Sequence, residues 1–134
     1  MRKVFKVLIG FALVLTLSVP MALVGSGEVK AAGEVYINDT NFPDENFRAY
    51  VSTLTANEDS KGKYFTQDQL NAIDEIICSD MNISSLKGIE YFRNLETLRC
   101  DKNQIDSLDI TKNTDLEFLN CSENQIISLD LTKN

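Results

Sequence analysis

Three cysteines, Cys78, Cys100 and Cys121, stand 22 and then 21 residues apart, and thiols are the most reactive side chains on offer in this chain. Three chemistries are open to them: disulfide pairing, a three-thiolate metal site, or burial as small apolar residues. An odd number leaves at least one unpaired in any disulfide scheme. A three-cysteine metal site lacks its fourth ligand, because histidine is absent from the sequence. Equivalent residues on stacked parallel strands sit about 4.8 Å apart with side chains parallel, whereas a disulfide draws its Cβ atoms to about 3.8 Å. The near-equal spacing therefore predicts three buried, inert thiols.

A second candidate is the oxygen-rich stretch Asn57-Glu58-Asp59-Ser60-Lys61-Gly62-Lys63. Oxygens at alternate positions before a glycine resemble the calcium loop of an EF-hand. Asn57, Asp59 and Asp68 would be its ligands, Asp68 taking the twelfth position in the ungapped register and Gln69 after a one-residue insertion. Lys61 occupies a ligand position and opposes a cation there, and aspartate is shorter than the bidentate glutamate the loop prefers. The expectation is a calcium-free remnant, with no metal and no cofactor. The lack of histidine also removes the Ser-His-Asp and Cys-His arrangements and the usual general base, and no acid pair falls in an evident apolar pocket. The chain is not expected to be an enzyme.

The elements that carry the cysteines are repeats. Leu95–Asn113 and Leu116–Asn134 agree at 13 of 19 positions with an offset of 21. Leu95/Leu116, Leu98/Leu119, Cys100/Cys121, Asn103/Asn124, Ile105/Ile126 and Leu108/Leu129 share the spacing L-x-x-L-x-C-x-x-N-x-I-x-x-L, which is that of leucine-rich repeats. Ile73, Ile76, Cys78, Met81, Ile83 and Leu86 match the same positions 22 residues earlier. One such unit cannot bury its own apolar side and must stack on neighbours. Residues 73–134 are thus read as about three repeats of an α/β solenoid. Leu86, Ile89, Phe92 and Leu95 at spacing three predict a short helical or 3₁₀ return in the first repeat, and the alternating Leu108 and Ile110 predict an extended return in the next.

Ahead of the repeats, residues 33–72 are read as a small helical cap holding the degenerate EF-hand-like loop. Gly33–Asp39 is short and extended. Pro43-Asp44-Glu45 marks a helix start, with Phe47, Tyr50, Val51 and Leu54 at helical spacing and Phe42 folding back onto them. Residues 55–64 read as loop. Thr66 followed by Gln69 is a capping box for a second short helix ending near Ala72.

Residues 1–31 read as a signal peptide: basic Arg2, Lys3 and Lys6, an uncharged run from Val7 to Val24, and a Val29-Lys30-Ala31 cleavage site. Those residues carry a net +3, so the whole-chain charge of −7 becomes −10 in the remainder. An acidic module of this kind is repelled by nucleic acid and by anionic membrane surfaces, and no membrane insertion is expected once the leader is removed. The sequence ends on the last residue of a repeat with no polar cap behind it, which predicts further repeats or downstream domains, or else a partner or second copy on that end.

The repeat array resembles the leucine-rich repeat proteins that bacteria secrete or display, including the internalin-like group. The carrying residues are Ser85-Leu86-Lys87-Gly88-Ile89-Glu90-Tyr91-Phe92-Arg93-Asn94-Leu95, the Leu-x-x-Leu-x-Cys-x-x-Asn-Gln-Ile form, and the Leu-Asp-Ile-Thr-Lys-Asn that follows it. The resemblance covers roughly residues 35–134 and implies a right-handed coil with a parallel sheet on its concave face, on a secreted or bacterial cell-surface protein. It also implies that Asn103 and Asn124 sit in the turn leaving the strand, satisfying backbone groups of adjacent coils. With residues 95, 98 and 100 facing the core, alternation sends 97, 99 and 101 to the concave surface. Three columns follow: Glu75, Thr97 and Phe118; Ile77, Arg99 and Asn120; Ser79, Asp101 and Ser122. Phe118, Arg99 and Ile77 are the candidate interface anchors. The expected function is an extracellular binding module for a protein or a glycan. The alternative is a non-catalytic accessory domain positioning a downstream enzyme or adhesin.

Overall fold

The computed structural model describes residues 33–134; the leader expected over residues 1–31 lies outside them. Three parallel strands form the spine of the repeats: β4 (Glu75–Ile77), β5 (Thr97–Arg99) and β6 (Phe118–Asn120), in that spatial order. Each strand contributes one inward residue, Ile76, Leu98 and Leu119, flanked by two that face away. Ile76 and Leu98 are wholly buried, as are Leu95, Ile83, Ile105 and Ile110. The period of the leucine-rich pattern is therefore the period of the core, and the apolar side of each of the first two units is covered by the next. A 3₁₀ turn, Ile89–Tyr91, makes the return of the first repeat, and no helix forms in the corresponding stretch 107–112 of the second.

Every strand leaves through the same kink. Asp80, Lys102 and Glu123 all adopt left-handed backbone with φ between 53° and 58°. None is a glycine, so a modest conformational cost recurs in each repeat. Asparagine amides hold these turns. Asn103 accepts from the N–H groups of Met81 (3.1 Å) and Ile83 (2.9 Å) and donates to the carbonyls of Cys78, Cys100 and Asp101. Asn124 repeats the pattern one coil on, accepting from Ile105 and donating to Cys100, Cys121 and Ser122. A second asparagine column closes the return side. Asn113, fully buried, donates to the carbonyls of Ile89 and Phe92, and Asn134 donates to those of Ile110 and Asn113.

Residues 33–72 depart from the helical segment expected of them. Alongside helices α1 (Glu45–Val51) and α2 (Gln67–Asn71) they build a three-stranded antiparallel sheet, with β1 (Val35–Tyr36) against β3 (Gly62–Phe65) and β3 against β2 (Asn57–Asp59). The stretch 55–64, expected as loop, is thus largely a hairpin. Its turn is made by Asp59, whose carboxylate accepts from the Lys61 N–H, and by Gly62 at φ +123°. The Tyr36–Tyr64 ring contact and the burial of Phe65 reward the extended form. Both helix starts follow the sequence. Asp44 caps α1 through the Phe47 N–H, and Thr66 with Gln69 forms the capping box of α2.

This segment packs on the first repeat. Phe42, Phe47, Val51, Phe65 and Leu70 join one continuous core with Ile76, Ile89 and Phe92. Phe42 is the hinge of that contact, lying against Phe47, Tyr91 and Phe92. Gly88, at φ +107°, passes so near Phe42 that a Cβ there would sit 2.3 Å from its ring. Asp44 clasps the two parts a second time: its other oxygen accepts from the Ser84 N–H and hydroxyl and from the Ser85 N–H.

Candidate functional site on the parallel sheet

The strand register places the candidate residues in rows across the sheet. Glu75 pairs with Thr97 and Thr97 with Phe118; Ile77 pairs with Arg99 and Arg99 with Asn120. These are the two columns read from the repeat offsets. Just beyond the strands, the Ser79 hydroxyl donates to Asp101 (2.7 Å), and the Asn120 amide donates to the same carboxylate oxygen (2.9 Å). Ser122 donates to Asn120 in turn (2.8 Å). Asp101 is therefore an anchored acid at the centre of a small polar network.

Apolar surface is also displayed here. Ile77 is 45% exposed and Phe118 46% exposed, on a face whose other members are polar. The Arg99 guanidinium lies over the Phe118 ring, 5.2 Å from its centroid, a cation–π contact worth about 0.5–1 kcal/mol at an exposed site. Beside Phe118, a cleft of about 410 Å³ runs along the last repeat, lined by Leu116, Leu119, Cys121, Leu129 and Leu131 among others. At the opposite edge, a cleft of about 480 Å³ bounded by Leu54, Ala72, Ile73 and Glu75 separates the first strand from the preceding segment.

One contributor was not legible as such in the sequence. Tyr50, which reads only as an apolar member of α1, reaches the sheet and accepts a hydrogen bond at its hydroxyl from the Ile77 N–H (3.0 Å). It occupies the outer edge of β4, where an unpaired backbone donor would otherwise face solvent. The helical spacing of Phe47, Tyr50 and Val51 indicated burial, but nothing local indicated a partner 27 residues away.

The thiols form a column behind this face. Cys78 and Cys100 are wholly buried and Cys121 partly so, all three free. Burial pushes the Cys78 thiol up to about 12, with Asp101 adding to the rise. Cys100 is likewise pushed to about 12, first by burial and then by its neighbours Cys78, Cys121 and Asp101. Neither is a thiolate at neutral pH, so neither is a nucleophile or a ready metal ligand.

The three candidate calcium ligands are dispersed. Asn57 donates its amide to Gln69 (2.9 Å), Asp59 accepts from the Tyr36 hydroxyl (2.9 Å) and from Lys61, and Asp68 is exposed on α2. An EF-hand loop needs its oxygens turned inward around one point, and the hairpin carries them along a strand instead.

No protein-family model matches the chain. Internalin J of Listeria monocytogenes serotype 4b (strain F2365) is 33% identical over 83 residues, which is 62% of this chain and 9% of that protein. The solved functional domain of InlJ from Listeria monocytogenes, described as including a cysteine ladder, superposes with a TM-score of 0.66 at 31% identity. That match covers 78% of this chain and 22% of the domain. The internalin InlF of the same species gives a TM-score of 0.59 at 27% identity, covering 74% of this chain and 29% of that one. InlC2 gives 0.60 at 27%, covering 76% and 50%. The chain thus spans half or less of the length of the relatives it matches. The aligned residues, the cysteine column beside the ladder named for InlJ, and the superposed fold lead to one conclusion: the chain is internalin-like, similar to these leucine-rich repeat proteins over part of their length.

Proposed function

We propose that the chain is an extracellular binding module whose partner, a protein or a glycan, is recognised on the concave sheet. The observation that carries this reading is the exposed pair Phe118 and Arg99, with Ile77 beside it, on one strand face. Aromatic residues and arginine are the side chains most often found as energetic anchors of interfaces. Glu75, Thr97, Asp101, Asn120 and Ser122 complete the surface and supply polar contacts. Residues 33–72 act as the cap of the coil and residues 73–134 as its repeats, the coil being right-handed. Residues 1–31 direct export to the medium or the bacterial surface, and N-terminal sequencing of the exported protein should begin at Ala32.

The test is capture of partners by the purified chain and by an Arg99→Ala/Phe118→Ala double variant, with a glycan array run on both. Loss of capture with unchanged melting supports the concave face, and the array decides between protein and glycan. A double variant that captures the same partners as the parent refutes the reading.

A second role, as a non-catalytic accessory domain positioning an enzyme or adhesin, is favoured by one observation: the matched segment is 9% of Internalin J. The intact mass of the native protein tests it. A mass no greater than that of residues 32–134 rules it out.

A further inference from the structure

The reading of the concave face leaves open what kind of group it receives, and Arg99 narrows the choice. The chain is acidic, with 20 Asp and Glu against 13 Lys and Arg, and buried or exposed acids are the usual partners of an arginine. Among the described residues, however, the Arg99 guanidinium makes no hydrogen bond and no ion pair, and its recorded contact is the Phe118 ring. The nearest acid along its own strand, Asp101, accepts from Ser79 and Asn120 instead. Thr97 and Asn120, its strand and cross-strand neighbours on this face, are neutral, and Glu75, diagonal to it on β4, makes no ion pair with it. A planar fork of five donors is thus held in place over a ring with its hydrogen-bonding capacity unspent, which is the geometry that matches a carboxylate.

The flanks describe the rest of the ligand. Ile77 is paired directly across from Arg99 and Phe118 lies diagonally on the other side, both nearly half exposed. Resting on the concave-face reading, we infer that Arg99, Ile77 and Phe118 form a subsite for a single carboxylate set between apolar side chains of a protein partner. A strongly acidic segment is excluded by the net charge of −7 on the chain, since its other charges would be repelled. A sugar acid presents hydroxyls where Ile77 and Phe118 offer only hydrocarbon, so the peptide form is favoured over the glycan form.

The test uses the ¹⁵N-labelled chain and three probes: a capped pentapeptide with one glutamate between leucines, the same peptide with glutamine, and N-acetylneuraminic acid. The glutamate peptide should move the amide signals of Thr97, Arg99 and Asp101 and the Arg99 side-chain Nε signal. The glutamine peptide should bind about tenfold more weakly, because the charge-assisted bidentate contact is lost. Arg99→Gln should abolish the difference between the two peptides, and Arg99→Lys should recover it only in part, since an ammonium is a point charge. Equal binding of the two peptides, shifts that survive Arg99→Gln, or binding of the sugar acid in place of the peptide would each overturn the inference. If the glutamate peptide leaves Arg99 unmoved while the double variant still loses its captured partners, the carboxylate subsite falls and the concave-face reading stands. If capture is also unchanged, both fall.

Discussion

Replacing Asn103 tests whether the asparagine column or the leucine pattern holds the coils in register. Asn103 is 8% exposed and serves five backbone groups, at 2.8 to 3.2 Å, in two successive repeats. Three of those bonds, to Ile83, Cys78 and Cys100, are buried. Truncation to alanine leaves the Ile83 N–H and the Cys78 carbonyl without that partner, while the Cys100 carbonyl keeps the Asn124 amide, and a buried unsatisfied backbone group costs about 1–3 kcal/mol. Solvent entering the vacated space offsets part of that loss, so Asn103→Ala should destabilise by about 2–4 kcal/mol. Asn124 makes the same kind of bonds one coil later, but all of its bonds are part-buried or exposed. Asn124→Ala should therefore cost only about 1–2 kcal/mol. Urea unfolding followed by circular dichroism, with equal m-values confirmed, reads both. Asn103→Asp adds a third arm. It retains the acceptor for Met81 and Ile83 but turns a carboxylate toward the Cys78 and Cys100 carbonyls, which raises its folded pKa. Its deficit should accordingly shrink as pH falls and the carboxyl becomes neutral. A cost below about 1 kcal/mol for Asn103→Ala, or a larger cost at Asn124, would refute the idea that these amides organise the stack.

Gly88→Ala should destabilise by more than about 2 kcal/mol in the same unfolding assay, since the new Cβ meets the Phe42 ring at 2.3 Å in a left-handed backbone. Burial alone would raise the Asp44 carboxyl, but hydrogen bonds from Phe47, Ser84 and Ser85 outweigh it and hold the group below the ordinary carboxylate range. A depressed folded pKa means that this stabilisation is present above about pH 4 and is lost as pH falls through the folded value. Acid titration of stability should therefore be shallower in Asp44→Asn than in the parent, and equal slopes would contradict the clasp. A thiol reagent should modify Cys121 in the native protein and reach Cys78 and Cys100 only after denaturation, as followed by intact mass. Rapid native labelling of all three would show that the column is open.

Because equivalent side chains recur at 21 and 22 residues, the sequence alone determined which residues share a column and which face the core, and the family resemblance it carries implied the parallel sheet that joins the repeats. Translational repetition makes these facts local: once one unit's inward residues are known, stacking assigns the rest. The two helix starts were local too, being written in Asp44 and in the Thr66–Gln69 box. Residues 55–64 were not, because a short polar stretch carries no period, and its extended form is decided by β1 pairing with β3 across some thirty residues. The clasp of Asp44 on Ser84, the bond from Ile77 to Tyr50, and the close approach of Gly88 to Phe42 each join residues 27 to 46 positions apart. The pairing that leaves Arg99 over Phe118 while Asp101 turns to Ser79 and Asn120 joins residues 19 to 22 positions apart. Such contacts depend on how two elements meet in space, and only the tertiary structure settles which of several nearby polar partners a flexible side chain takes.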